Sequence, residues 1–202
     1  MSSAPPLDDD PKLVARAREG EVQAFEELVE RYRDRVYGLA LRLLRTEADA
    51  AEVTQETFLA AWQSLESFRG EAAFGTWLQR IAANRALMML RTRKVRQAAR
   101  EELEQPGFNE HGELIQLPAS RWARRADERV LERELGRAIQ EATDALPEGY
   151  REVFLLKDVE GLSYEAIGEL TDSSVAAVKS RLHRARLALR QRIDQYYRET
   201  SS

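Results

Sequence analysis

Apolar residues recur at intervals of three and four along most of the chain, which is the spacing of amphipathic α-helices. The pattern predicts helices over roughly residues 21–45 and 49–65, and a further helix that begins at Phe74. Between the last two, the stretch SFRGEAAFG contains two glycines and interrupts the pattern, so a loop is predicted there. A short helix is also expected to start at Asp10 and Pro11.

The pattern is lost from about residue 101 to 126, where prolines, glycines and acidic residues follow no sustained period. Helical spacing returns from about residue 130 to 146, and LPEGY then turns the chain. These features predict an all-α fold in which two small helical domains are joined by a flexible acidic linker. The predicted parts are a flexible N-terminus at 1–9, a first domain at 10–97, a linker at 98–126, a second domain at 127–195 and a flexible C-terminus at 196–202.

The segment SYEAIGELTDSSVAAVKSRLHRAR places two short helical patterns on either side of a tight break. Ser163 is suited to cap the first helix, and either Ser173 or Ser174 can cap the second. This arrangement predicts a helix-turn-helix, whose second helix enters the major groove of DNA. A plain helical hairpin would share the buried spacing but would not require an acid-free outer face. The buried side of the second helix is expected to hold Val175, Val178, Leu182 and Ala185, and its outer side Lys179, Ser180, Arg181, His183 and Arg184.

Charge placement changes this picture more than composition does. The chain has 202 residues and a net charge of −4, yet residues 72–100 hold seven Lys or Arg and residues 173–193 hold six, with no acid in either window. Solvated helix faces usually mix both signs, because opposite charges four residues apart stabilise them. The two windows therefore predict surfaces for a polyanion, against the alternative of scattered surface charge.

The first basic window follows a loop that contains Phe68, and an aromatic side chain beside cations can stack on an unpaired base. Phe74 and Trp77, three residues apart, fit a helix core better than a base-stacking role. Asn84 can read a base edge. The residues suited to holding phosphates are Arg91, Arg93, Lys94 and Arg96.

Several functional classes are disfavoured by the composition. The chain has no cysteine and only two histidines, which argues against disulfides, thiolate metal sites and a histidine metal centre. There is no apolar run of the length that a membrane span needs and no secretory signal, so a cytoplasmic protein without membrane insertion is expected. No nucleophile–base pair or phosphate-cradling glycine loop supports a helical enzyme, and no cofactor is expected.

At this point the chain resembles the extracytoplasmic-function (ECF) group of bacterial sigma factors, over about residues 10–97 and 127–195. The N-terminal likeness lies in DAAEVTQETFLAAWQSLESFRGEAAFGTWLQRIAANRALMMLRTRK. The C-terminal likeness lies in LPEGYREVFLLKDVEGLSYEAIGEL and VKSRLHRAR. There are departures: Ala177 stands where the family usually has threonine, Asp172 replaces a turn glycine, and Met88 replaces a common Asp.

The resemblance implies a non-catalytic subunit that gives core RNA polymerase its promoter specificity, with the two domains corresponding to sigma regions 2 and 4. It also implies an anti-sigma protein as a partner. Polymerase contacts are implied for Asp49, Glu52, Gln55, Glu56, Phe58 and Trp62 at the clamp, and for Tyr150, Arg151 and Phe154 at the flap. Contacts with the −10 element are implied for Phe68, Arg69, Gly70, Glu71, Asn84, Arg91, Arg93, Lys94 and Arg96. Contacts with the −35 element are implied for Lys179, Ser180, Arg181, His183, Arg184 and Arg186.

A two-domain DNA-binding regulator that never meets polymerase remains the alternative. It would explain the helix-turn-helix equally well, but it would leave the acidic and aromatic segment TEADAAEVTQETFLAAWQSL without a role. Stable binding to core polymerase separates the two hypotheses.

Overall fold

The computed structural model of the protein describes residues 9–103 and 128–200. That part of the chain consists of helices joined by short loops and turns, with no strand, which confirms the all-α prediction. None of its helices is long and apolar enough to cross a membrane. The helices are α1 (Asp10–Arg18), α2 (Val22–Leu44), α3 (Glu47–Ser64), α4 (Phe74–Leu103), α5 (Glu128–Asp144), α6 (Glu148–Phe154), α7 (Tyr164–Thr171) and α8 (Val175–Thr200).

The N-terminal group consists of α1 to α4, which bury the apolar positions that the spacing predicted. Leu28, Leu39 and Leu43 of α2 are completely buried, and α3 and α4 pack against that side of the helix. A 3-10 turn ends α3, and the chain passes through residues 68–73 before α4 begins. Gly75 lies so close to Tyr32 that a Cβ there would come within 2.6 Å of the ring, so α4 can approach α2 only with glycine at this position.

Polar contacts fix α1 on α2. Asp10 is buried, and its carboxylate accepts hydrogen bonds from the Tyr32 hydroxyl and the Arg31 guanidinium. Burial, followed by the hydrogen bond to Asp10, raises the pKa of the Tyr32 hydroxyl. The phenol therefore stays protonated and keeps donating to the carboxylate across the ordinary pH range.

The C-terminal group consists of α5 to α8, with a π-helical turn (Leu155–Val159) after α6. Ser163 caps α7 as predicted, because its side chain accepts a hydrogen bond from the Ala166 amide at 3.1 Å. Asp172 then takes a left-handed conformation with φ 49°, which Asp adopts more readily than most residues. In this tight turn a Cβ on Gly168 would come within 2.7 Å of the Ser173 carbonyl oxygen, so the turn depends on that glycine.

The second helix of this motif, α8, begins at a serine cap. The Ala177 amide donates to Ser174 Oγ at 3.2 Å, which decides between the two predicted caps. Val178, Leu182 and Ala185 are buried, as expected for the inner face. The predicted helix-turn-helix is therefore present.

The two groups lie against each other. α4 packs on α7 and α2 on the π-helical turn, and one continuous buried cluster includes leucines of both groups. At this contact Glu160, with its side chain 2% exposed, lies 2.6 Å from Arg42 Nη2 and 3.7 Å from Arg35 Nε. Gln79 Nε2 donates a hydrogen bond to the same carboxylate.

Two predicted boundaries differ from the observed helices. α4 continues to Leu103, into the expected linker, and α8 continues to Thr200, into the expected flexible C-terminus. The remainder of the predicted linker, residues 104–126, lies outside the described residues, as do residues 1–8, 127 and 201–202. Helix-favouring Ala, Arg and Glu extend α4 beyond residue 97 although its apolar periodicity has ended.

Candidate nucleic-acid and protein interfaces

The outer face of α8 is the most open of the predicted DNA-binding surfaces. Lys179, Ser180, His183 and Arg184 are exposed on the side opposite to the buried face. Arg181 differs from the expectation, because it is half-buried and donates to Ser173 Oγ at 2.9 Å. It therefore supports the turn rather than the outer face.

Two further cations of α8 have partners from other helices. Arg184 Nη1 donates to the Tyr150 hydroxyl at 3.2 Å, which places Tyr150 of α6 beside the outer face. Arg186 makes a two-pronged contact with Asp158, at 2.8 and 2.6 Å, and the hydrogen bond to this carboxylate raises the pKa of the guanidinium. Asp158 thus orients Arg186, for which the family resemblance implied a contact with the −35 element.

The basic segment of α4 has acidic partners despite the absence of acids in its own window. Three of its cations contact the C-terminal group: Arg80 pairs with Glu169, Lys94 lies 2.8 Å from Glu148, and Arg91 donates to the Leu170 carbonyl oxygen. In this arrangement these three cations therefore have partners in the same chain, and their assignment to a DNA surface stays a prediction.

Two other cations of α4 have partners on α3. Arg85 Nη1 lies 3.2 Å from Glu56, and Arg93 pairs with Asp49, whose side chain is 16% exposed. These pairs join the predicted −10 surface to the predicted polymerase surface within one domain. Asn84 and Arg96 are exposed on the same helix.

The loop before α4 only partly matches a base-capturing site. Phe68 is half-buried in an aromatic cluster, with its ring centroid 4.9 Å from that of Trp77 and 5.9 Å from that of Phe74. Arg69, Gly70 and Glu71 are exposed. Trp77 and Phe74 belong to the core or its edge, as their three-residue spacing predicted.

On α3, one residue of the predicted polymerase surface is buried and its neighbour along the chain is exposed. Phe58 is 8% exposed and belongs to the core, so the expectation of a contact through its ring is not supported. Leu59, the next residue, is 59% exposed, and Trp62 is 37% exposed with its ring against Phe25. Glu52 and Gln55 are exposed on the same helix. Strict helical periodicity could have shown that Phe58 shares the buried side of Ala50, Val53 and Thr57.

Arg151 is the second predicted polymerase contact that is buried. It is 6% exposed, its Nη2 donates to the Leu43 carbonyl oxygen at 3.5 Å, and its Nε has no hydrogen-bond partner. Burial, and then the positive charge of Arg45, lower the pKa of its guanidinium. Tyr150 and Phe154 are half-buried beside it. In this arrangement Arg151 faces the N-terminal group instead of a partner.

Three acids that the sequence analysis did not identify pair with cations of α2 and α4: Glu148, Glu160 and Glu169. Glu148 begins α6, Glu160 follows the π-helical turn and Glu169 lies within α7, and no local spacing distinguishes any of the three. Their importance comes from tertiary packing, so only the folded arrangement brings them to cations of α2 and α4.

Comparison with known proteins agrees with this architecture. The family model of sigma-70 region 2 matches residues 28–96, and that of sigma-70 region 4 matches residues 136–189. An ECF RNA polymerase sigma-E factor of Haemophilus influenzae is 37% identical over 189 residues, which cover 91% of this chain and 95% of that protein. The chain belongs to the ECF sigma factors. A sigma-E factor of Salmonella typhimurium is 35% identical over 182 residues, covering 89% of this chain and 92% of that one.

Solved structures share the fold of this sigma factor. CnrH, in complex with the cytosolic domain of CnrY, is 26% identical with a TM-score of 0.55, covering 93% of this chain and 99% of that one. The sigma factor RpoE of Bartonella quintana, in complex with the anti-sigma factor NepR, has a TM-score of 0.56 at 22% identity, covering 84% and 96%. The chain thus functions in transcription initiation, and its curated relatives are initiation factors rather than enzymes.

Proposed function

We propose that this sigma factor binds promoter DNA through two separate surfaces, one for duplex and one for melted DNA. The −35 surface is the outer face of α8, formed by Lys179, Ser180, His183 and Arg184. The observation that carries this assignment is a basic, exposed helix face positioned by a capped helix-turn-helix turn. Arg and Lys there can grip guanine O6 and N7 or the phosphates.

The −10 surface lies on the N-terminal group. Arg69, Gly70 and Glu71 of the loop are exposed next to the Phe68 and Trp77 rings, where an unpaired base can stack once Phe68 moves. Asn84 reads a base edge, and the cations of α4 hold the backbone. That set of cations consists of Arg91, Arg93, Lys94 and Arg96.

Core polymerase binds the exposed face of α3. An acidic face with two exposed apolar side chains, Leu59 and Trp62, suits a basic protein surface with an apolar pocket. Glu52 and Gln55 provide the polar rim, and Asp49 and Glu56 orient the neighbouring cations of α4. Tyr150 and Phe154 contribute a second polymerase contact.

The protein acts in the cytoplasm, where its polymerase is, and catalyses no reaction of its own. An anti-sigma protein holds it inactive until a signal releases it. Family membership supports this partner, since solved relatives include a sigma factor bound to an anti-sigma factor.

The test is transcription in vitro by purified core polymerase on a fragmented genomic library, with and without this protein. New start sites that share two upstream elements are expected. A matched pair of variants then assigns the −35 surface: Arg184→Ala should abolish use of some promoters, whereas Arg192→Ala, further along the same helix, should retain them. An active core enzyme that gains no start sites from the folded protein would contradict the proposal and favour a regulator that acts without polymerase.

A further inference from the structure

The contact between the two domains covers part of the surface to which we assign the melted −10 element. Arg91 and Lys94 of that surface contact the Leu170 carbonyl oxygen and Glu148 of the C-terminal domain, and Arg80, earlier on the same helix, pairs with Glu169. While acids and a carbonyl of the same chain contact these groups, a phosphate backbone must displace those partners in order to bind them. Closure of the two domains and binding of single-stranded DNA to these three groups therefore compete with each other.

The buried part of the contact is built around one carboxylate. We define the Glu160 cluster as Glu160 with Arg35, Arg42 and Gln79; the carboxylate comes from the C-terminal domain and its three partners from the N-terminal domain. The Glu160 side chain is only 2% exposed. A buried carboxylate is tolerated only when it is paired and hydrogen-bonded, so its position requires the two domains to be closed.

We propose that the Glu160 cluster holds the sigma factor in an autoinhibited closed state, in which the C-terminal domain masks the DNA-binding cations of α4. This inference rests on the proposed function, because it takes α4 as the surface for melted DNA. Opening returns Glu160 to water and frees Arg80, Arg91 and Lys94 together. The apparent affinity of the protein for single-stranded DNA is lowered by the fraction of molecules that are closed.

Removal of the Glu160 charge should open the protein. In Glu160→Gln the guanidinium of Arg42 loses its ion pair while its Nε stays buried without a hydrogen-bond partner, and separation of the domains returns that Nε to water. Glu165→Gln is the matched control, because it removes one negative charge from an exposed position of the same domain. Both variants lose one negative charge, so a difference between them reflects the lost contacts of Glu160 rather than the change in net charge.

The first measurement is the affinity of full-length proteins for a fluorescent single-stranded DNA of mixed sequence, about 20 nucleotides long. Glu160→Gln is expected to bind at least about fivefold more tightly than wild type and control. Its salt dependence should also steepen by about 2 in the slope of log K against log salt, since three released cations contribute about 0.7 each. Equal affinities and slopes in all three proteins would overturn the proposal.

Carbodiimide crosslinking provides an independent readout of closure. Lys94 Nζ lies 2.8 Å from the Glu148 carboxylate, so an amide between them is expected in wild type and control and should decline in Glu160→Gln. Loss of this crosslink without a gain in DNA affinity would contradict the masking of DNA. A crosslink retained in Glu160→Gln would contradict the role of the Glu160 cluster.

A second variant guards against misfolding of Glu160→Gln. Glu148→Gln with Glu169→Gln changes two partly exposed acids and leaves the buried cluster intact, and its control is Glu141→Gln with Glu165→Gln. The first double variant should bind the DNA probe more tightly than the second, and equality would overturn the masking by these acids.

Transcription with core polymerase separates the two proposals. If the variants gain affinity for DNA but none of the proteins initiates transcription, the proposed function alone is contradicted. If all of the proteins initiate transcription but no variant gains affinity, the autoinhibition alone is overturned.

Discussion

The basic segments of α4 and α8 are alike in sequence and different in their surroundings. Along α4, acids of α3 and of the C-terminal domain contact Arg80, Arg85, Arg93 and Lys94. At the start of α8, Lys179 lies over the Tyr164 ring instead of against an acid, whereas Arg186, further along the helix, pairs with Asp158. Ser180 and His183 are exposed beside Lys179.

A stretch of sequence without acids can therefore still be contacted by acids of other elements in the folded chain. Acids at positions three or four along a helix are visible in the sequence, whereas Glu148 and Glu169 reach α4 from more than 50 residues away. On the proposed function, the outer face of α8 can meet duplex DNA as it stands, whereas DNA that binds α4 must first displace these acids.

The largest expected effect concerns the two faces of α8. Leu182 is 2% exposed, so Leu182→Ala should lower the free energy of unfolding by about 2–5 kcal/mol through lost burial and a residual cavity. His183→Ala, the adjacent exposed position, should change it by about 0.5 kcal/mol or less. Urea unfolding monitored by circular dichroism measures both. Equal losses would show that the assigned inner and outer faces are wrong.

Arg184→Ala should have the next largest effect, on binding to promoter duplex. A two-pronged contact with guanine predicts a loss of about tenfold or more at promoters with the matching base, and little loss at others. Fluorescence anisotropy with promoter fragments from the transcription experiment gives both affinities. A uniform loss at every promoter would instead make Arg184 a phosphate contact.

Arg93→Ala should produce a smaller and more even loss. The Arg93 guanidinium pairs with Asp49 in the free protein, so a DNA phosphate must replace this pair. The net contribution of Arg93 to the binding free energy is therefore only the difference between the two contacts. Affinity for single-stranded DNA is expected to fall by a few-fold regardless of sequence, and the salt slope should decrease by about 0.7. A sequence-dependent loss as large as that of Arg184→Ala would erase the distinction between the two basic segments.

The helices and their faces could be predicted from the sequence because they depend on periodicity and capping. The Ser163 cap, the buried positions of α8 and the core position of Phe74 follow from local spacing alone. The burial of Arg151 and Glu160 could not be predicted, since it depends on how two helical groups meet across a long intervening segment. The same is true of Gly75 and Gly168, which are needed because other backbone or side-chain atoms come close to them.

The smallest expected effect concerns Glu152, whose carboxylate lies near cations of both basic segments. Burial and then the charge of Glu148 raise its pKa, while Lys94 of α4 and Arg181 of α8, with Arg151, lower it. A carboxyl group whose pKa is raised in the folded state favours the protonated form, so its ionisation destabilises the fold as pH rises above the ordinary value of 4.5. Below that value the penalty is absent.

Glu152→Gln should therefore raise Tm at neutral pH, by a few degrees at most, and the gain should disappear as the pH falls below about 4.5. Thermal unfolding of wild type and variant across this range is the measurement, with the exposed Glu165→Gln as the control for net charge. In the Glu160→Gln background the gain should shrink, because opening of the domains returns the Glu152 carboxylate to water. A gain that is independent of pH in both backgrounds would mean that Glu152 acts through packing rather than through its charge.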